Sequence, residues 1–277
     1  MEKVLILVSR ADGASVTIRD ALLKLAPWRE AGAFQGAPVR AHEHFLMAEI
    51  EGLHIHAEGV DEELRRAGLS FGPILFASRH RAQSGKPALT VHPIGNWGPD
   101  ASVGGRPRTL AGTAPILMGR VLRALHAQAR GLKHEVTFEA THHGPWLAKS
   151  PAMFVEIGTD EAAWSDPVLG ERVGRAMLAA AQPSSGDEAP ILLAMGGSHY
   201  APKATDLVRK GRANVGHVLP SYQLEKGLDP RVVYEAVRAT PGCQGYFADA
   251  KTADALSPEI KQVFSALELG WWQEADL

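Results

Sequence analysis

Cysteine, long apolar runs and net charge are all scarce in this sequence. One cysteine, Cys243, stands among 277 residues, which excludes an internal disulfide framework and a cysteine-based zinc site. No apolar run approaches the length of a membrane span, and the first residues lack the features of a signal peptide. The net charge of −2 leaves only a local basic patch to hold any nucleic acid. We therefore expect a cytoplasmic protein without a membrane segment.

Several well-known catalytic signatures are also missing. Residues 196–199 read Gly-Gly-Ser-His, which lacks the spacing and the third glycine of a G-x-S-x-G nucleophile elbow. There is no P-loop, and no G-x-G-x-x-G follows the first apolar run. His134-Glu135 does not continue to a second histidine, so the H-E-x-x-H metalloprotease motif is absent. A serine or cysteine nucleophile therefore has no support in the sequence.

The apolar patterning indicates an α/β protein. Runs such as 4–8, 73–77 and 191–195 are typical of buried strands, and helical patterns separate them. A hairpin predicted over residues 45–57, turning at Glu51-Gly52, would make the sheet mixed. No linker divides the chain, so we predict one domain over residues 1–277 with a mixed central β-sheet flanked by helices.

Helix boundaries follow from capping residues. Ser15 is the expected N-cap of a helix that runs to Ala26, and its N-terminus after the first strand would suit an anion, although a plain connecting loop explains it as well. Thr113 is the expected cap of a helix over 114–130. A further helix is predicted over 165–181, with Val168 on its inner side.

Histidine is the residue in excess, with twelve in the chain. His142 and His143 follow a strand-like run, and His199 follows another, in a Gly-rich loop. His80, His92 and His217 also fall near predicted strand ends, where α/β proteins usually place their chemistry. For these three, a structural role is an equal alternative. Histidines 42, 44, 54 and 56 are expected together near the hairpin, as solvated cross-strand pairs rather than a metal cluster.

Two kinds of chemistry suit this set. Neutral imidazoles near one another suit a metal, most often zinc. Alternatively, an imidazole acts as general base on water while backbone N–H groups of the Gly-rich loops hold the oxyanion. Glu156 lies on the strand after His142 and His143 and is positioned to orient an imidazole. A hydrolase and a binding protein that holds a metal or anion without turnover both remain open. Bound zinc without ester hydrolysis would favour the binding protein.

Short motifs in order along the chain give a further indication. They are residues 12–15 (Asp-Gly-Ala-Ser), 78–80 (Ser-Arg-His), 89–92 (Leu-Thr-Val-His), 95–96 (Gly-Asn), 141–145 (Thr-His-His-Gly-Pro), 154–158 (Phe-Val-Glu-Ile-Gly), 197–203 (Gly-Ser-His-Tyr-Ala-Pro-Lys) and 216–220 (Gly-His-Val-Leu-Pro). Through these motifs the sequence resembles the archaeal- and plant-type D-aminoacyl-tRNA deacylases. It departs from them at Thr17, where asparagine is expected, and at Val218, where isoleucine is usual. The part after Pro220 matches only loosely.

The resemblance implies hydrolysis of the ester that joins a D-amino acid to the terminal adenosine of tRNA. It also implies a core similar to phosphorylase and peptidyl-tRNA-hydrolase folds, and a zinc requirement. Hydrolysis of another ester, of peptidyl-tRNA or of a nucleoside is the alternative. The expected oligomeric state is a monomer or a small homo-oligomer.

We assign roles to the site residues on the same basis. The predicted catalytic residues are His80, His142, His143, Glu156 and His199, with His142 and His199 as metal ligands. The predicted substrate-binding residues are Ser9, Asp12, Ser15, Arg79, His92, Asn96, Gly197, Ser198, Tyr200, Lys203 and His217. The basic residues expected to meet tRNA phosphates are Arg79, Arg81, Lys86, Arg106, Arg108, Lys203, Lys210 and Arg212.

Overall fold

The computed structural model describes residues 2–82 and 85–277, which form a large sheet, a smaller sheet and a short two-stranded ribbon. The strands are β1 (Val4–Ser9), β2 (Arg29–Phe34), β3 (Ala37–His42), β4 (Phe45–Ile50), β5 (Ile74–His80), β6 (Ala88–Pro93), β7 (Gly95–Asn96), β8 (Thr109–Leu110), β9 (Glu135–Phe138), β10 (Ala152–Gly158), β11 (Ile191–Met195), β12 (Asn214–Leu219), β13 (Gly245–Phe247) and β14 (Gly270–Trp272). The helices are α1 (Gly13–Leu25), α2 (Val60–Arg66), α3 (Pro115–Gln128), α4 (Glu161–Trp164), α5 (Pro167–Ala179), α6 (Pro202–Arg209), α7 (Ser221–Glu225), α8 (Pro230–Arg238), α9 (Ala250–Ala255) and α10 (Pro258–Ala266).

The large sheet has eight strands in the order β2-β3-β4-β1-β5-β10-β6-β9. Its centre is parallel, since β1 pairs in parallel with β4 and β5, and β5 with β10. Antiparallel pairs occur between β10 and β6 and among β2, β3 and β4. The predicted mixed sheet flanked by helices is confirmed.

Side chains of the large sheet alternate between two cores. Ile6 and Val8 of β1 point to the layer of α1, α3 and α5, whereas Leu5 and Leu7 point to the opposite face, which α2 covers. Both faces of a central parallel strand are buried, which explains the unbroken apolar run at the start of the chain.

The predicted hairpin over residues 45–57 is wrong. β4 pairs with β3 on one side and β1 on the other, and residues 54–56 form a 3-10 turn. His54 turns inward, where Nε2 lies 3.1 Å from the carbonyl oxygen of Leu7 and the ring packs on Phe76. The expected group of four histidines does not form either, because His42 packs instead on Trp28. The alternation of apolar and polar residues over 53–57 therefore comes from a turn that points His54 inward, not from a strand.

Three helix predictions also need correction. Asp12, not Ser15, caps α1, because its carboxylate accepts a hydrogen bond from the backbone N–H of Ser15. Thr113 does not cap α3; its hydroxyl donates to the carbonyl of Ala239. The helix predicted over 165–181 forms as α5, which begins after the cap Asp166, but Val168 is 51% exposed rather than on the inner side.

The smaller sheet is parallel, in the order β12-β11-β13-β14. One face packs on α8 and α10 through a core that includes Val233 and Phe264. Ala194, Val215 and Val218 on the other face join the core of the large sheet. Across the described ranges, the helices are all too short or too polar to cross a membrane.

Candidate active site

The site lies on one face of the large sheet. It begins where the side chains along the strands on that face change from apolar to polar. On β10, Glu156 follows Phe154 on the same face, and on β5, His80 lies on the same face as Phe76. His92 of β6 is the register partner of Phe154, and its ring stacks on that phenyl ring. Because β6 runs antiparallel to β10, these residues meet on a shared face, not at one edge where all the strands end.

A carboxylate cluster forms the inner part of the site, and we define it as Glu139, Glu156 and His80. His80 Nδ1 lies 2.9 Å from Glu139 Oε1 and 3.5 Å from Glu156 Oε2. His80 Nε2 lies 2.9 Å from the hydroxyl of Tyr200. Thr90 adds a hydrogen bond by donating its hydroxyl to Glu156 Oε2 at 3.1 Å. The cluster is thus an ion-pair network within the protein itself.

The ionisation of this network follows from the contacts. Burial disfavours the charge on His80, but its contacts with Glu139 and Glu156 outweigh burial and raise its pKa to about 11. Burial likewise opposes charge on Glu156, whose contacts with His80 and His92 nevertheless lower its pKa to about 2. The pKa of Glu139 is also held below its usual value, against burial, by His199 and His80. Both carboxylates are therefore ionised and His80 is a cation at neutral pH.

His199 connects the carboxylate cluster to solvent. Its Nε2 lies 2.8 Å from Glu139 Oε2, and its side chain is 39% exposed. Its loop is held in place because the carbonyl oxygen of His199 accepts a hydrogen bond from the N–H of Ala140. The other ring nitrogen, Nδ1, makes no hydrogen bond within the part of the chain described. A buried carboxylate that orients an exposed imidazole is the arrangement of a general base.

An imidazole cluster lies next to the carboxylate cluster, and we define it as His92, His142 and His143. The ring centroids lie 4.2 Å apart for His92 and His142 and 4.3 Å apart for His142 and His143. Each Nδ1 lies close to a backbone carbonyl oxygen, at 3.0 Å from Pro93, 2.7 Å from Ala140 and 2.8 Å from Gly144 respectively. Such a bond places the proton on Nδ1 and leaves the Nε2 lone pair available.

The charge states of the imidazole cluster differ from those of the carboxylate cluster. Burial and the neighbouring histidines lower the pKa of His143 to about 4 and that of His142 well below its usual value. The pKa of His92 is raised, against burial, by its contact with Glu156. His142 and His143 are therefore neutral at pH 7, the state in which an imidazole binds a metal.

The donor set of the imidazole cluster fits a zinc ion. Its three residues each offer a ligand atom within 4.8 Å of the other two. His92 Nε2 is buried without a hydrogen-bond partner in the described structure, which is costly unless a ligand satisfies it. Three imidazoles are a known zinc-binding set. Two further groups bring their ligand atoms equally close. One is Glu139, His142 and His199, which contains both of the metal ligands predicted from sequence, and the other is the carboxylate cluster.

Both clusters open into one cleft of about 400 Å³. Its lining residues are Asp12, Leu53, His54, Ile55, Ser78, Arg79, His80, Arg81, Val103, Glu139, His142, His143, Glu156 and His199. Buried ionisable groups that converge on a cleft are typical of an active site.

Comparisons with known proteins identify the family. The family model for D-aminoacyl-tRNA deacylases matches residues 68–272, a span that contains both clusters. The chain belongs to the D-aminoacyl-tRNA deacylase family. A D-aminoacyl-tRNA deacylase of Methanosarcina acetivorans is 34% identical, over 99% of this chain and 93% of that protein. One of Thermoplasma acidophilum is 36% identical, over 89% of this chain and 90% of that protein.

A solved structure extends the likeness to the fold. A crystal structure of a conserved protein of unknown function superposes with a TM-score of 0.89 at 30% identity, over 98% of this chain and 95% of that one. The fold found here is therefore shared with a solved relative across nearly its whole length.

The first motif of the family resemblance supports the cleft wall through internal hydrogen bonds. Asp12 accepts hydrogen bonds from the N–H groups of Ser15 at 3.0 Å and Arg79 at 3.1 Å, and from the hydroxyl of Ser78 at 3.3 Å. The hydroxyl oxygen of Ser15 accepts from the N–H of Ser9 at 2.8 Å. Burial raises the pKa of Asp12, although these N–H donors oppose the shift. Of Ser9, Asp12 and Ser15, which are all predicted substrate-binding residues, only Asp12 lines the cleft.

Other predicted substrate-binding residues lie around the site or away from it. Asn96 donates to the carbonyls of Gly104 and Arg106 and shapes the loop over residues 98–108. Gly197, Ser198 and Lys203 line a separate pocket of about 120 Å³, where Lys203 pairs with Asp249. His217 is fully buried, with one ring nitrogen near the hydroxyl of Thr141 and the other near the carbonyl of Ala111. The protein already engages both nitrogens of His217, as in a packing residue.

The predicted basic residues do not form one continuous patch. Arg79 and Arg81 line the cleft, and Arg106 stacks on Trp146 with its guanidinium carbon 3.5 Å from the ring centroid. Lys210 pairs with Asp206, and Arg212 donates to the carbonyl of Glu274, near the smaller sheet. Arg79 and Arg81 are thus the members placed to meet a ligand of the cleft.

The sequence interpretation missed Glu139, which joins both halves of the site. Glu139 is fully buried, and it contacts His80, His199 and His142. The available signal was a glutamate that follows a strand-like run and stands three residues before a pair of histidines. His54 and the apolar residues Leu53, Ile55 and Val103 were also missed as parts of the cleft.

Proposed function

We propose that this chain hydrolyses the ester bond of D-aminoacyl-tRNA and releases the free D-amino acid and tRNA. Family membership supports the substrate class, since relatives that cover nearly the whole chain carry that name. The observation that carries the chemistry is the pair of His199 and buried Glu139 at the mouth of the cleft. No serine or cysteine nucleophile is required, because water is the nucleophile.

In the proposed mechanism, His199 accepts a proton from water through Nδ1 while Glu139 orients the ring through Nε2. As the imidazole becomes positively charged, the carboxylate of Glu139 stabilises it at 2.8 Å. His80 keeps Glu139 ionised and in position through its contact at 2.9 Å. The same His199 then returns the proton to the departing ribose oxygen. An ester with an activated acyl group needs only this assistance and good positioning.

We propose that zinc binds the imidazole cluster. The support is the unpartnered Nε2 of His92 and the carbonyl-bound Nδ1 atoms of all three rings. A zinc ion held there would act as a Lewis acid on the ester carbonyl or on the attacking water. This assignment keeps His142 as a ligand and moves His199 to proton transfer, because Glu139 engages the Nε2 of His199.

Binding of the tRNA requires positively charged side chains in addition to the catalytic residues. We propose that Arg79 and Arg81 meet phosphates near the 3′ end, because both line the cleft. Arg79 is fixed by its N–H bond to Asp12 and by its guanidinium group over the ring of Trp164.

We also propose that residues 1–277 act as one unit on the tRNA pool of the cytoplasm. The shared core of the two sheets supports this unit.

A deacylation assay on matched D- and L-aminoacyl-tRNA tests the function, with His199→Ala and His142→Ala as the site variants. The unmodified chain should hydrolyse the D form, and each variant should lose at least about 100-fold in kcat, the usual value of a general base or of a polarising group. His126→Ala, at an exposed position of α3, is the matched control and should keep full activity. Activity on L-aminoacyl-tRNA alone, or near-normal turnover in both site variants, would disprove the assignment.

A further inference from the structure

The cleft has an apolar rim that the chemistry above does not use. Leu53 and Ile55 lie on the 3-10 segment, and Val103 lies on the loop over residues 98–108. Val103 is 49% exposed, one of few large apolar side chains so exposed in the described chain. Asp12 and Arg79 also line the cleft. The cleft is therefore lined by both apolar and polar side chains.

The position of Val103 is fixed by a junction of three glycines. A Cβ on Gly104 would overlap the carbonyl oxygen of Ile55, and one on Gly144 would overlap the backbone of Gly105. The three segments can meet this closely only because these residues lack side chains. The N–H of Gly144 donates to the carbonyl of Val103 at 3.2 Å. The rim is thereby attached to the backbone next to His143.

Hydrogen bonds hold the loop on its outer side as well. Glu58 accepts from the N–H of Gly105 at 2.7 Å and from the N–H of Trp146 at 2.9 Å. Asn96 donates to the carbonyl of Gly104 at 3.0 Å. An exposed valine held this firmly beside a polar cleft has the features of a binding contact.

We propose that Leu53, Ile55 and Val103 form the pocket wall that receives the side chain of the D-amino acid. This inference rests on the proposed function, and it names the part of the substrate that the rim selects. The ester carbon must lie near His199 and the imidazole cluster. The amino-acid side chain branches one atom from that carbon, whereas the adenine base is separated from it by the ribose. The rim, attached next to His143, is therefore closer to the side chain than to the base.

The same wall accounts for a preference in chirality. Exchange of D for L exchanges the side chain and the hydrogen on the α-carbon while the ester stays in place. An apolar L side chain would then lose its contacts with the rim. The loss of this apolar contact is unfavourable, so the site selects against that enantiomer.

The test is kcat/KM on tRNA charged with D-alanine, D-leucine, D-phenylalanine and D-lysine, for the unmodified chain, Val103→Ala and Val103→Asp. Val103→Ala should lose about 5- to 10-fold on D-leucine and D-phenylalanine and less than about 2-fold on D-alanine, because the lost contact scales with apolar area. Val103→Asp should lose more on these two substrates and should raise the ratio of D-lysine to D-leucine turnover. Val168→Ala, at an exposed valine of α5, is the control and should change none of these ratios.

The outcomes separate this inference from the function on which it rests. Equal losses on every D-aminoacyl-tRNA, whatever the side chain, would show that the rim contacts the invariant nucleotide and would overturn the inference alone. Unchanged kcat/KM in both Val103 variants would do the same. No hydrolysis of any D-aminoacyl-tRNA by the unmodified chain would overturn the proposed function and the inference with it.

Discussion

The carboxylate cluster and the imidazole cluster lie side by side on one sheet face, yet they offset the free-energy cost of burying ionisable groups in different ways. In the carboxylate cluster, the positive charge of His80 lies within 2.9 Å and 3.5 Å of its two carboxylates. In the imidazole cluster, His142 and His143 avoid the cost by remaining neutral, and His92 Nε2 has no hydrogen-bond partner within the described residues. The carboxylate cluster thus holds its own counter-charge, whereas the imidazole cluster offers the neutral rings of His142 and His143 to a ligand.

This difference separates positioning from binding. A buried ion pair is stable only while both partners are present, since removal of one leaves an uncompensated charge. A buried neutral imidazole with an unpartnered lone pair costs less than an unpaired charge, and it gains when a cation binds. We therefore expect variants of the carboxylate cluster to lose both stability and activity, and variants of the imidazole cluster to lose activity and metal affinity.

The largest effect is expected for Glu139→Gln. This change removes the charge that orients His199 and leaves His80 with one carboxylate, so kcat should fall by about 100- to 10,000-fold. Breaking the buried ion pair should also lower the free energy of unfolding by about 3–5 kcal/mol. Single-turnover deacylation and urea denaturation measure the two effects. Glu135→Gln, at an exposed position four residues earlier on the same segment, is the control.

Glu156→Gln, studied by the same two measurements, separates the roles of the two buried carboxylates. It weakens the contacts to His80 and His92 but leaves the bond from His199 to Glu139 intact. Stability should fall as in Glu139→Gln, whereas kcat should fall less. Equal kcat losses in the two variants would contradict the special role given to the His199–Glu139 pair.

An intermediate effect is expected from zinc and its proposed ligands. Zinc should raise the free energy of unfolding, by about 2.7 kcal/mol at a concentration 100 times its Kd. His92→Ala and His143→Ala should each weaken zinc binding by more than the roughly 10- to 100-fold typical of a residue beside the ligands. A chelator should reduce activity and added zinc should restore it. Calorimetry and thermal unfolding with zinc measure the effect, with exposed His44→Ala as the control.

The result also distinguishes the imidazole cluster from another group that could hold a metal. A loss of zinc affinity in His199→Ala with none in His143→Ala would move the metal to Glu139, His142 and His199. Full activity of the metal-free protein would show that the His199–Glu139 pair suffices by itself.

Sequence patterns predicted the sheet class and most of the site for a physical reason. Buried strands appear in a sequence as apolar runs. A histidine or glutamate in or just after such a run is therefore easy to recognise, as with His80, His142 and Glu156. Local patterns failed where a tertiary contact decided the outcome. The inward turn of His54 toward Leu7 depends on the neighbouring strand, and the role of Glu139 depends on His80 and His199, which are 59 and 60 residues away.

The smallest effect is expected for Thr90→Val, which tests whether the carboxylate cluster is complete without its outermost bond. The hydroxyl of Thr90 donates to Glu156 Oε2 at 3.1 Å, and valine keeps the shape of the side chain. Loss of one buried hydrogen bond to a charged group should cost about 1.5–3 kcal/mol of unfolding free energy. Because His80 still compensates Glu156, kcat should change by less than about 3-fold, which is under 1 kcal/mol of barrier. Thr113→Val, at another fully buried threonine, should show a comparable or smaller stability loss and normal activity. A large fall in kcat for Thr90→Val alone would mean that the cluster depends on each of its bonds, and that the contrast with the imidazole cluster is weaker than the ion pairs indicate.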